Sequence, residues 1–186
     1  MTYIVKLKYL HNMIIFTEKV VFKGSTYRLE ICQNEEFNES DVTQVYCMLV
    51  NSNSQLAIVY TNDSKMWVLP GGGREKGESI MDTLRRELKE EANAIVYEST
   101  VKLSFIQKVY KIDEEGSSKF EGIQARYIAS LYQADEFESD PDGDILEVKW
   151  ISADEIDTYL DWGKTNDLIK HCLLDYNKSR IKTIDK

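Results

Sequence analysis

Apolar residues along this chain follow two rhythms, and the switch between them predicts most of its elements. Tyr, Ile, Val, Phe and Leu alternate with polar residues, or run together, over 3–9, 13–22 and 26–33, with a turn at Gly24-Ser25. That pattern predicts β-structure for the first third. Asn34 to Asp41 reads as an acidic loop. Val45 to Val50 and Leu56 to Tyr60 flank Asn51-Ser-Asn-Ser, the signature of a hairpin through the centre of a sheet. Trp67-Val-Leu-Pro leads into a glycine-rich loop. From Ser79 the spacing changes to threes and fours, and Met81, Leu84, Leu88 and Ala92 predict a helix capped by Ser79 and running to about Ala92. Val101 to Ile112 and Lys119 to Tyr132 predict strands joined by a tip at Glu114-Glu-Gly-Ser-Ser, and Ile145 to Ile151 a further strand. Ser152-Ala-Asp-Glu is a capping box before a short helix. A final amphipathic helix is expected over 166–180, with Leu168, Ile169, Cys172, Leu173 and Tyr176 on one face. No repeat or proline-rich linker interrupts the pattern, so a single domain over 1–186 is expected, with 1–43 as a β-rich N-terminal extension.

The central helix carries an unusual load of acid. Glu87, Glu90 and Glu91 stand at i, i+3 and i+4, so all three project within about one third of the circumference. Like charges at these spacings cost a helix about 0.2–0.5 kcal/mol per pair. Mg²⁺ or Mn²⁺, hard ions that take oxygen ligands and keep positions open for substrate phosphates, would relieve that repulsion. The apolar stripe is expected to lie beside this acidic face without overlapping it. Two other phosphate-binding patterns fail in the same residues. Gly72-x4-Gly77-Glu78-Ser79 has the frame of a P-loop, but Glu78 stands where a lysine must reach the phosphates. Gly71, Gly73 and Gly77 lack the dinucleotide spacing. The bland alternative is a solvated charged helix face, which most such runs are.

The register decides against that alternative. Gly72, Glu78, Arg86, Glu87, Leu88, Glu90 and Glu91 match G-x5-E-x7-R-E-U-x-E-E-x-G-U, with U a bulky apolar residue, and the stretch at 72–94 therefore resembles the Nudix box. Asn93 stands where the family has its last glycine, and Ala94 replaces the final bulky residue. Asn is the next most tolerant residue in the left-handed conformation, so the helix end is expected to survive.

The resemblance implies an α+β fold, a Nudix-like α/β/α sandwich around a mixed β-sheet. It also implies a Nudix-type pyrophosphohydrolase, a divalent-metal-dependent hydrolase with Mg²⁺ or Mn²⁺. Such an enzyme cleaves a diphosphate linkage in a nucleoside diphosphate derivative such as a nucleoside triphosphate, ADP-ribose or a nucleotide sugar. A non-hydrolytic Nudix-fold nucleotide-binding or regulatory module, and a metal-binding structural domain, stay open as alternatives. By register, Glu87, Glu90 and Glu91 with the Gly72 carbonyl are the implied metal ligands, and Glu87, Glu90 and Arg86 the catalytic set. Arg86 is expected to orient the glutamates by ion pairing, and Glu78 to close that network or bind a second metal. Family members recruit one more acid from a loop outside the box. The candidates here are Asp140, Asp142, Asp144 and Glu147, with Glu147 and Asp144 favoured because they adjoin a strand. Arg28, Arg126 and Tyr127, with Tyr110, are candidates to meet substrate.

Composition narrows the partners. Apolar residues at 42% and charged residues at 30% are ordinary globular usage, and the net charge of −9 argues against a nucleic-acid surface. A small phosphorylated substrate stays compatible, because a bound cation reverses the local potential. Cys32, Cys47 and Cys172 form no C-x-x-C pair and no even framework, which points to the reduced cytoplasm. No apolar run approaches the roughly 18 residues of a membrane span, so no membrane is expected. The oligomeric state is left open, a homodimer included.

Overall fold

The structure is a computed structural model that describes residues 13–137 and 143–184. The strand expected over 3–9 and the candidate acids Asp140 and Asp142 lie outside the described residues. In chain order the elements are β1 (Met13–Phe22), β2 (Ser25–Gln33), β3 (Val42–Val50), β4 (Leu56–Thr61), β5 (Trp67–Val68), β6 (Gly71–Gly73), α1 (Ile80–Ala92), β7 (Ala94–Val96), β8 (Lys102–Ile112), β9 (Ser118–Ala134), β10 (Ile145–Ile151), α2 (Ile156–Tyr159) and α3 (Lys164–Ile184). Strands with a few helices make this an α+β protein, as expected. Two compact units are distinguished, one from residues up to Thr43 with Phe105–Ala125, the other from Gln44–Ser104 with Arg126 onward.

In the first unit β1 and β2 form a long antiparallel hairpin. Its turn is Lys23–Gly24, both at positive φ (46° and 77°), and Ser25 pairs with Phe22. The turn thus sits one residue earlier than the sequence suggested, because a two-residue loop of this hand matches the twist of the flanking strands. β2 continues onto β8 in antiparallel register, with Cys32 opposite Ile106 and Thr26 opposite Ile112.

In the second unit β3 and β4 carry the core. Cys47, Met48, Leu49, Val50, Leu56, Ala57, Ile58 and Val59 are all wholly buried. Strands covered on both faces read as continuous apolar runs rather than alternation, which is how these two appear in the sequence. β4 also pairs with β5 and β10, β6 lies along β3, and β7 pairs with the end of β9. α1 packs on β6 and β7. It opens with a capping box between Ser79 and Asp82 and ends at Asn93, which takes the left-handed conformation (φ 45°, ψ 42°).

The buried face of α1 departs from expectation. It comprises Ile80, Thr83, Leu84, Glu87, Leu88 and Ala92, while Met81 is half-buried beside the exposed cap. At about 100° per residue Glu87 projects between Thr83 and Leu84, so the acidic and apolar faces overlap at this position. α3 is longer than expected at both ends, and buries Leu168, Ile169, Leu173 and Tyr176 while Cys172 is only half-buried. No helix among the described residues is long and apolar enough to cross a membrane.

Candidate active site

Two stretches of the second unit build the site: the three glycines of β6 and the helix that follows. Gly71 lies opposite Tyr46, and Gly72 opposite Val45, on β3. Gly71 has φ +138°, and a Cβ there would stand 2.3 Å from the Val45 carbonyl oxygen and 2.5 Å from Tyr46 Cα. Only glycine allows the two backbones so close in this conformation. The Gly71 N–H donates to Glu91 Oε2 at 2.6 Å. Gly72 has a different reason to lack a side chain. A Cβ there would stand 2.8 and 2.9 Å from the two carboxylate oxygens of Glu87, so the glutamate head occupies the space a side chain would need.

Arg86 organises the acids. Its Nε and Nη2 donate to the two Glu78 oxygens at 2.8 and 3.1 Å, and Nη2 also to the Gly73 carbonyl at 2.8 Å. Nη1 donates to Glu87 Oε1 at 2.9 Å and Glu90 Oε2 at 3.0 Å. A planar guanidinium suits this role because its fixed fork can hold several carboxylates at once. Glu78 is itself held from the other side, accepting from the Glu75 N–H at 3.0 Å and the Thr83 hydroxyl at 2.8 Å.

These contacts set the protonation. Burial raises the Glu87 carboxyl above its ordinary value, with Glu90 and Glu78 adding to the rise and Arg86 opposing it. The Tyr46 phenol is raised chiefly by burial, and the charges of Glu91 and Glu87 act in the same direction. Arg126 is buried with its guanidinium 4.1 Å from the centroid of the Tyr46 ring, and burial lowers it to about 10. Glu78 moves the other way, from 4.5 to about 2, because Arg86 and then the Glu75 backbone hydrogen-bond its charged form. A depressed carboxyl contributes stability that is complete above its unfolded value and is lost as pH falls through the folded one. The melting-temperature deficit of Glu78→Gln is therefore expected to be full at neutral pH and to shrink between about pH 4.5 and 2. Melts at pH steps across that window test this, and a constant deficit would assign the stability elsewhere.

The donor set of Glu87, Glu90, Glu91 and the neighbouring β6 carbonyls is all oxygen, which suits a hard divalent ion. Burial and two like charges disfavour the charged form of Glu87, and such a cation would favour it. Among the described residues no three acidic, histidine or cysteine side chains stand together in ligating geometry. Glu87 and Glu90 instead both face the Arg86 guanidinium.

The NUDIX domain family profile matches residues 42–171, a span that contains every residue of this cluster. The chain belongs to the Nudix family. Its fold is similar to that of the Bacillus subtilis pyrophosphohydrolase RppH, at 16% identity and a TM-score of 0.59 over 89% of this chain and 98% of that one. A MutT structure described for Aliivibrio salmonicida and Vibrio cholerae is 19% identical, with a TM-score of 0.50 over 73% and 98%. The MutT protein of Bacillus halodurans is 23% identical, with a TM-score of 0.49 over 70% and 80%. At 16% identity the likeness to RppH establishes the fold alone, the α+β Nudix sandwich with a mixed sheet. A search of curated proteins finds no match to the chain.

Of the other sequence candidates, Arg126 adjoins the cluster through Tyr46, while the contacts described for Glu147, Asp144 and Arg28 lie elsewhere. Glu147 is exposed on β10, opposite Tyr60 of β4, and its ion pair is with Lys149 at 3.5 Å. The Asp144 carbonyl accepts from the Asn62 N–H at 2.6 Å. Arg28 belongs to the first unit, where it pairs with Glu30 and stacks 4.2 Å from the Tyr110 ring centroid. Tyr127 is half-buried and adjoins Arg126 on β9, so the two point to opposite faces of the strand. Sequence reasoning missed Tyr46 and Thr83. Tyr46 looks like any strand aromatic until β6 is laid beside it. Thr83 carried a signal, a polar β-branched residue one turn before Glu87 on the side of α1 that packs.

Proposed function

We propose that this Nudix protein is a divalent-metal-dependent pyrophosphohydrolase that cleaves a diphosphate linkage in a nucleoside diphosphate derivative. The observation that carries the reading is the Glu87 carboxylate. It is buried, set in the space left by Gly72, fixed by Arg86, and neighboured by Glu90 and Glu91. Glu87, Glu90, Glu91 and the Gly72 carbonyl would hold Mg²⁺ or Mn²⁺, which would supply charge neutralisation at the diphosphate and acidify water. Glu87 or Glu90 would accept the proton of the attacking water. Arg86 and Glu78 position them and stay off the substrate, because the guanidinium is already shared among three carboxylates and a carbonyl. Glu91 is tied to the β6 backbone through Gly71, which keeps strand and helix in register. The substrate class is a small phosphorylated compound such as a nucleoside triphosphate, ADP-ribose or a nucleotide sugar. The setting we favour is the reduced cytoplasm, consistent with three free cysteines whose thiols burial raises, Cys32 to about 12 and Cys172 to about 11.

The test is a panel of these diphosphate compounds incubated with Mg²⁺ or Mn²⁺, with products identified by phosphorus NMR. At least one compound is expected to be cleaved between its phosphates, and excess chelator is expected to abolish turnover. Turnover that persists in chelator removes the metal from the proposal. Saturable binding of the panel without any cleavage would replace the enzyme by a nucleotide-binding module.

A further inference from the structure

Away from the Nudix box, the second unit holds a cavity of about 730 Å³, with Tyr97, Lys102, Ser130, Tyr132, Tyr176 and Arg180 among the residues around it. We propose that this cavity binds a small nucleoside phosphate at a second site. No residue of β6 or α1 lines it. Polar groups of its lining satisfy one another, and two of them, Ser130 and Tyr176, are buried. Ser130 Oγ and the Tyr176 hydroxyl share a hydrogen bond of 2.9 Å, and each residue is 6% exposed. The Thr100 hydroxyl accepts from the Ser130 N–H at 2.9 Å and donates to the Tyr97 carbonyl at 2.6 Å. A lining fixed in this way need not be ordered when a ligand arrives.

Charge selects the ligand. The protein has 32 acidic residues against 23 basic ones, yet the cavity lining contains Lys102 and Arg180 and no carboxylate. Arg180 Nη1 donates to the Asn51 carbonyl at 3.0 Å, which anchors the guanidinium and leaves its other N–H groups for an acceptor. Neither Lys102 nor Arg180 has an ion-pair partner among the described residues. Lys102 lies over the Tyr176 ring, 5.9 Å from its centroid. In an acidic chain two such cations on one cavity attract an anion, and a guanidinium beside an ammonium suits the several oxygens of a phosphate.

The aromatic wall makes the ligand more than inorganic phosphate. Tyr97 and Tyr132 are 49% and 58% exposed and meet edge to face, 4.8 Å between centroids. They supply an amphipathic surface on which a planar base can rest. The volume falls within the roughly 300–1,000 Å³ of small-molecule sites. Two cations and a flat aromatic surface on one cavity together describe a site for a nucleoside phosphate.

The experiment titrates AMP into the full chain in excess EDTA, so that the box carries no divalent ion and no turnover intervenes. Calorimetry gives the affinity, and amide NMR on the wild-type protein gives the location. Saturable binding is expected, with shifts at Thr100, Lys102, Ser130 and Arg180. The double variant Lys102→Ala/Arg180→Ala is expected to weaken AMP at least about tenfold, a loss of about 1.4 kcal/mol. Tyr132→Ala is expected to weaken AMP more than pyrophosphate, and Glu87→Gln to leave AMP binding unchanged. The proposal is overturned by no saturation up to about 10 mM AMP, by shifts confined to the box, by undiminished affinity in the folded double variant, or by loss of binding in Glu87→Gln. Because no hydrolysis is read, failure here is separate from failure of the pyrophosphohydrolase assignment.

Discussion

Gly72→Ala is expected to lower diphosphate hydrolysis by about 10²-fold while leaving stability within about 1 kcal/mol of wild type. The new Cβ would stand 2.8 and 2.9 Å from the two Glu87 oxygens, and a carboxylate head can swing away where a backbone cannot. The displaced charge leaves both the Arg86 fork and the position proposed for metal binding. Gly71→Ala, one residue earlier, is expected to do the opposite damage. There the obstacle is β3 backbone at 2.3 and 2.5 Å and the φ is +138°, so neither partner can give way cheaply. Strained backbone and overpacking together are expected to cost about 3 kcal/mol or more. Urea unfolding and initial rates on the two variants separate these outcomes. Wild-type turnover in Gly72→Ala would sink the role assigned to the Glu87 position, and wild-type stability in Gly71→Ala would sink the account of β6.

Glu87→Gln is expected to reduce hydrolysis by at least about 10²-fold, as for loss of a metal ligand or general base. The fold should be unharmed, since the amide oxygen can still accept from Arg86 and the shape is kept. In the absence of metal the variant is expected to melt at the same temperature or higher at pH 7. Burial raises the Glu87 carboxyl, so the folded state binds its proton more tightly than the unfolded chain does. The ionised form therefore opposes folding in full above the raised folded value, and not at all well below the ordinary 4.5. Any advantage of the variant should consequently fade as the solution is acidified through that range. Mg²⁺ should reverse the order at neutral pH, because an ion that binds only the folded wild type stabilises it in proportion to ln(1 + [L]/Kd). Melting curves of both proteins with and without Mg²⁺ measure this directly. A variant that is less stable without metal and equally stabilised by Mg²⁺ would show that the ion does not depend on Glu87.

Much of this site could be read along one dimension. The register from Gly72 to Glu91, the Ser79 cap and the left-handed end at Asn93 are local properties. A helix advances about 100° per residue and its ends must satisfy their own N–H and C=O groups, so spacing alone groups Glu87, Glu90 and Glu91 and marks where α1 stops. The apolar runs of β3 and β4 were legible for a similar reason, since a strand covered on both faces has no polar side to show. The Lys23–Gly24 turn was misplaced by one residue because strand register is set by the twist of a paired hairpin, which belongs to both strands together.

What only the tertiary structure decided is which side chains meet across distant chain. The overlap of the acidic and apolar faces at Glu87 follows from β6 lying under α1, and β6 is there because Gly71 can approach Tyr46 backbone to backbone. Thr83 and Glu75 became partners of Glu78, Arg126 came to rest on Tyr46, and Lys102 and Arg180 reached one cavity from strand and helix. Glu147, favoured from its place beside a strand, is directed to Lys149 and solvent. The sequence by itself determined that a carboxylate-bearing helix follows a glycine loop, because periodicity and capping act within a few residues. The tertiary fold decided which carboxylate is buried, how far its proton affinity moves and which arginine holds it, because desolvation and charge act through space between residues that the chain's linear order does not relate.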